Sequence, residues 1–230
     1  MTRTRFHEGL EELKQKLLKM AGMAEQAVDR VIEAYRKRDP GLCQRVIEDE
    51  PAINRAEREI DELALDLLAM QQPMAVDLRF ILAVIKINAD LERVGDQAVN
   101  IAERVIYMTG YPPADLPVDI PRMASTTAGM VRRALDAFIQ GDAELAQAVL
   151  EMDDVVDRMN RAAFTSLSKL MKNSPEQAGP ALDALLIARN LERVADHATN
   201  IAEDVIFWIR GADVRHHAGA ESPPAQPPED

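Results

Sequence analysis

Apolar residues recur every three or four positions along most of the chain, in long runs separated by short breaks. That period predicts helices with one buried face rather than strands. The first run extends from about Phe6 to Arg38. Asp39-Pro40 then opens a second, with Asp39 as cap and Pro40 at the first helical position. Gln72-Pro73 ends it, and a third run reaches about Thr109. Beyond Gly110-Tyr111-Pro112-Pro113 and Pro117, the plan repeats: a run from about Pro121 to Gln140, a break at Gly141-Asp142, a run to about Lys172, a break at Asn173-Ser174-Pro175, and a last run to about Arg210. Amphipathic helices of roughly 45 Å, at 1.5 Å per residue, need partners along one face. Three in up-down-up order with short turns form a bundle. The expected fold is all-α: two tandem three-helix bundles, residues 1–110 and 121–210, joined by a linker at 111–120. The segment 211–230, with Ser222-Pro223-Pro224 and Pro227-Pro228, reads as a disordered tail.

The two halves are copies. Leu91-Glu92-Arg93-Val94-Gly95-Asp96 returns as Leu191-Glu192-Arg193-Val194-Ala195-Asp196. From Leu91 to Ile106 only Gly95, Gln97, Val99 and Arg104 differ from the residues a hundred positions later. Upstream, Asp39, Leu42, Val46, Glu48, Ile53 and Arg55 align with Asp142, Leu145, Val149, Glu151, Val156 and Arg158. The register there is 103, so the second copy is shorter by about three residues between its second and third helices.

On a wheel of 100° per residue with Glu92 at zero, Asp96 falls at about 40°, Asn100 at about 80° and Glu103 at about 20°. Ile87, Leu91, Val94, Ala98, Ile101 and Val105 fill a separate arc from about 180° to 260°. The third helix therefore carries an acidic strip beside its core face. Glu192, Asp196, Asn200 and Glu203 repeat it. The second helix offers a matching strip of Glu50, Asn54, Glu57 and Asp61, and the fifth offers Asp153, Asp157 and Asn160. Packed antiparallel, these strips face each other across a groove. Like charges at i,i+4 each cost roughly 0.2–0.5 kcal/mol, which a bound cation offsets. Carboxylate oxygens suit Mg, Ca, Mn and iron rather than a structural tetrahedral zinc site. A solvated acidic face, partly neutralised by Arg93, Arg104 and Arg193, is the plainer reading. Retention of Glu, Asp, Asn and Glu at fixed spacing in both copies favours the metal.

Composition narrows the function classes. Aromatic residues are 4% of the chain, so the core is aliphatic and Met-rich. The net charge of -12 argues against nucleic acid as a partner and against a basic membrane-binding face. A single cysteine, Cys43, excludes an intrachain disulfide and suits a reducing cytoplasm. The first residues lack the apolar core of a signal peptide, and the apolar runs are too short to cross a membrane. His197 has Gln97 as counterpart and reads as solvent-facing; His216-His217 falls in the tail. Met70, Met74, Met123, Met130, Met152, Met159 and Met171 read as core or groove filler. A carboxylate-bridged di-iron enzyme is the competing function. Its chemistry wants Glu-x-x-His pointing into the bundle core, and no Glu here has a His three residues later.

The segments Leu91–Glu103 and Ala188–Ile201 resemble the signature of the PhoU family of phosphate-uptake regulators, and Gln72–Arg79 resembles the family's approach to its third helix. The likeness covers about residues 5–210. It implies two similar three-helix bundles, a homodimer, and multinuclear iron or zinc clusters on surface carboxylates, with Mn or Mg as other candidates. Carried over, one metal site uses Glu50, Asn54, Glu92 and Asp96, and the other uses Asp153, Asp157, Glu192 and Asp196. Asn100, Glu103, Asn200 and Glu203 stand as outer candidates. Asn54 replaces the family's usual carboxylate, and Asn160 and Phe164 replace Glu57 and Asp61 in the second copy, which implies sites of unequal strength. The resemblance further implies a cytoplasmic, non-enzymatic adaptor. It would restrain the phosphate ABC transporter through its ATPase, and hold the phosphate-sensing histidine kinase off when phosphate is plentiful. It would meet the membrane only through those partners.

Overall fold

A computed structural model of the chain describes residues 3–70 and 73–211, and side chains from Arg5 to Ala69 and from Pro73 to Gly211. The proposed tail and His216-His217 lie outside the described residues. The helices are α1 (Arg3–Lys37), α2 (Pro40–Met70), α3 (Ala75–Thr109), α4 (Ile120–Gln140), α5 (Ala143–Asn173) and α6 (Ala178–Arg210). A short 3₁₀ turn at Pro175–Gln177, absent from the sequence reading, leads into α6. No helix among the described residues is long and apolar enough to cross a membrane.

The breaks form as their residues dictate. Asp39 Oδ1 accepts from the backbone N–H of Gly41 (2.8 Å) and Leu42 (3.3 Å). Its counterpart Asp142 accepts from Glu144 (2.8 Å) and Leu145 (3.0 Å). Each satisfies N–H groups that a helix start leaves unpaired. The residue before each cap turns left-handed: Gly141 at φ 64° in the second copy, Arg38 at φ 52° in the first. A side chain there costs roughly 1–2 kcal/mol. Arg38 offsets it by donating from Nη2 to the carbonyls of Met108 and Tyr111, each at 2.6 Å, which ties down the end of α3.

Within each repeat the three helices pack on one another, and α3 and α6 pack along each other between the repeats. Leu13, Leu17, Met20, Ile60, Ile81, Ile87 and Leu91 are fully buried in the first half, and Ile120, Met123, Met130 and Phe138 in the second. Met74, expected as filler, is instead 75% exposed at the start of α3, where it caps the helix ahead of the first turn. Cys43 is fully buried, and desolvation pushes its thiol up to about 11.

The α3–α6 pair runs antiparallel. Lys86 Nζ donates to Asp204 at 3.0 Å, Asn200 Nδ2 to Asp90 at 3.1 Å, and Arg104 lies 3.7 Å from Asp183. Rising numbers on α3 thus meet falling numbers on α6, about a pseudo-twofold near Val94 and Val194. Asp90, Asp183 and Asp204 are each at least nine-tenths buried, and each finds its partner across this seam. On the wheel the seam residues Lys86, Asp90, Arg104, His197 and Asp204 fall between the acidic strip and the core face.

The α2–α3 contact explains one difference between the copies. A methyl on Gly95 would meet Ile53 Cδ1 at 2.9 Å. The second repeat carries Ala195 and Val156 at these positions, so one methyl is gained on the sixth helix and one lost on the fifth. Overpacking a core costs about 1–3 kcal/mol, and Ile→Val alone about 0.5–1.5 kcal/mol. Gly95→Ala and Ile53→Val are each expected to destabilise the protein, whereas the double variant recovers at least about 1 kcal/mol relative to their sum. Urea unfolding of the four proteins measures it; strict additivity would refute the exchange.

Candidate functional site: two carboxylate grooves

The antiparallel packing of α2 on α3 brings their acidic strips together. Asn88 Nδ2 on α3 donates to the Glu57 carbonyl and to Asp61 Oδ1 on α2, both at 3.0 Å. This fixes the register and sets Glu50 and Glu57 opposite Glu92 and Asp96. All four are half-buried. Desolvation, then repulsion from Asp96, Glu57 and Glu50, raises the Glu92 carboxyl above its ordinary range. Asp96 is raised by desolvation and by Glu50. Glu57 is raised by desolvation, Asp61 and Asp96. Asn54 donates its amide to Glu50 Oε1, while its own Oδ1 is buried without a hydrogen-bond partner.

The second groove lies between α5 and α6. Asp153 is raised by desolvation and then by Asp157, Asp154 and Glu192. Asp196 is pushed up to about 6 by desolvation, then by Glu192, Asp153 and Asp157. Asp157 is 3.5 Å from Arg161 on its own helix. The groove ends differently from the first. Where Asp61 meets Asn88, the second copy has Phe164, 60% exposed, and Ala188.

Each set of four predicted metal residues is thus gathered along one helix pair. Among the described residues no three His, Cys, Asp or Glu side chains converge as a ready-formed metal cluster. Of the outer candidates, Glu103 is exposed, and Asn100 and Glu203 are half-buried. Asn200 turns to the seam and donates to Asp90. His197 corrects the sequence reading. It is not solvent-facing: its side chain is 14% exposed, and Nδ1 lies 2.9 Å from Asp90 Oδ1. Helix α6 folds that flank against α3, and a single-helix wheel cannot show this. Its imidazole favours the ionised forms of both Asp96 and Asp196, so it stands within electrostatic reach of both grooves. Asp90 and Asn88 were not singled out from sequence. The available signal was one polar residue on either flank of the apolar arc, Asp90 at about 160° and Asn88 at about 320°.

Comparison with known proteins bears on this geometry. The PhoU domain family matches the chain twice, at residues 17–105 and 120–205. A phosphate-specific transport system accessory protein PhoU homolog from Pseudomonas putida is 41% identical over 213 residues, covering 92% of this chain and 83% of its own. The crystal structure of PhoU from Pseudomonas aeruginosa superposes with a TM-score of 0.85 at 38% identity, covering 90% of this chain and 100% of that one. The structure of the phosphate transport system regulatory protein PhoU from Streptococcus pneumoniae gives 0.84 at 27% identity, covering 91% and 99%.

The raised carboxyl of Asp196 has a measurable consequence. A carboxyl whose folded value is about 6 against an ordinary 3.8 favours folding below pH 3.8 and loses that contribution as pH rises through 6. Asp196→Asn is therefore expected to stabilise the chelator-treated protein at pH 7.5 and to lose that advantage by about pH 4. Asp196 is exposed, so solvent screening limits the gain to on the order of 1 kcal/mol. Urea unfolding across this range checks it; a gain that grows on acidification contradicts the assignment.

Proposed function

The chain belongs to the PhoU family, and from that premise we propose that it is a regulatory accessory of phosphate-specific transport. The observation that carries the reading is the double family match combined with superposition over nine-tenths of the chain on two PhoU structures. In finer terms, we propose a cytoplasmic adaptor that acts as a homodimer. It represses phosphate-starvation signalling when phosphate is plentiful by contacting the transporter's ATPase and the sensor histidine kinase. Its carboxylates line grooves outside the apolar core, which suits surface binding better than chemistry within a bundle interior.

We also propose that the grooves hold metal, through Glu50, Asn54, Glu92 and Asp96 in one and Asp153, Asp157, Glu192 and Asp196 in the other. The donor set fits a hard cation: it is all oxygen, and desolvation followed by repulsion within each groove raises the carboxyls. The buried, unpartnered Asn54 Oδ1 is a further acceptor such a cation would satisfy. Iron, manganese, magnesium or zinc bound there would neutralise the facing carboxylates and clamp α2 to α3 and α5 to α6. The first groove is the richer, since it adds Glu57 and Asp61 where the second has Asn160 and Phe164.

Deleting the gene is expected to switch on phosphate-scavenging functions such as alkaline phosphatase in phosphate-rich medium. A colorimetric phosphatase assay on a clean deletion reads this, and unchanged repression would overturn the regulatory reading. Purified protein is expected to carry iron, zinc or manganese, with most of it lost in Asp96→Ala/Asp196→Ala. Elemental analysis decides the point; equal metal content in both proteins would sink the groove assignment.

A further inference from the structure

One polar cluster in the seam reaches both grooves and belongs to neither. Asp90 on α3 is 5% exposed. It accepts from Asn200 Nδ2 at 3.1 Å and is hydrogen-bonded to His197 Nδ1 at 2.9 Å, both on α6. The Arg93 guanidinium stands 3.7 Å away on its own helix.

We propose that Asp90 and His197 form a positioning bridge between the two grooves, through which a cation bound in one changes the affinity of the other. This rests on the metal reading above. The bridge and the carboxylates share helical turns. Asp90 is two residues before Glu92, His197 directly follows Asp196, and Asn200 lies one turn beyond. Drawing Asp196 toward Asp153 on α5 carries His197 and Asn200 with it. Asp90 is 5% exposed, and without its two α6 partners it would keep only the longer Arg93 contact at 3.7 Å, so the α6 contacts persist and the turn bearing Glu92 follows.

The bridge is single. Its pseudo-twofold counterpart is Asn190 with Gln97 and Asn100, a neutral set in which the buried Gln97 Oε1 has no partner. The fold thus tolerates an amide at both key positions, and this supplies the variants. Asp90→Asn and His197→Gln each install the residue found in the other repeat.

The test is a manganese titration of the full-length, chelator-treated protein, followed by electron paramagnetic resonance of free Mn²⁺. The second groove is disabled by Asp153→Ala/Asp157→Ala, which leaves α3, α6 and the seam untouched. In the wild-type background this is expected to weaken binding in the first groove at least about fivefold. In the Asp90→Asn or His197→Gln background the same change is expected to alter it less than about twofold. Circular dichroism and Trp208 emission report folding, and His197→Gln serves if Asp90→Asn does not fold. Equal first-groove affinity with and without the second groove overturns the bridge alone. So does coupling that survives both substitutions. Absence of Mn²⁺ binding to wild type overturns the bridge, whereas the metal reading stands or falls on the elemental analysis above.

Discussion

The antiparallel seam between α3 and α6 is the constraint from which the rest of the arrangement follows. Buried carboxylates are tolerated only when paired, and Asp90, Asp183 and Asp204 all find their partners in the opposite repeat. Each pair belongs to one register. Sliding the repeats by a turn would part all three from their cross-repeat partners at once. The apolar arcs of α3 and α6 then take α1 and α2 on one side and α4 and α5 on the other. The carboxylate grooves are fixed as a by-product, because each lies between a seam helix and the helix packed behind it.

The grooves set electrostatics against packing. Glu92, Asp96, Asp153 and Asp196 are raised first by desolvation and then by repulsion from facing carboxylates. The helices stay together because the apolar surface behind them is continuous. Ile53 seated over Gly95 illustrates how close α2 comes to α3. Electrostatics and packing are therefore in tension in both grooves, and the proposed cation would relieve that tension.

The duplication, the helix bounds and the Asp39 cap were legible in the sequence because each depends on residues near one another in the chain. The acidic strips were legible too, since a wheel captures one helix well. The seam was not. Asp90, His197 and Asp204 are ordinary polar residues until the second repeat is laid against the first, and the wheel's intermediate arc gives no sign of which neighbour will cover it. His197 was misread for this reason. The exposed Met74 was misread for the opposite one: apolar character alone does not guarantee a facing surface. The 3₁₀ turn at Pro175–Gln177 arises from local proline geometry beyond the reach of periodicity.

At one end of the seam, the ring of Trp208 on α6 lies 5.2 Å from that of Phe80 on α3 and 5.5 Å from that of Phe138 on α4. Phe80 belongs to the first repeat and Phe138 to the second, and Trp208 is the chain's only tryptophan. The protein therefore contains its own optical probe of how its two halves sit together. A change in their docking shifts the surroundings of one indole and can be followed in real time without a label.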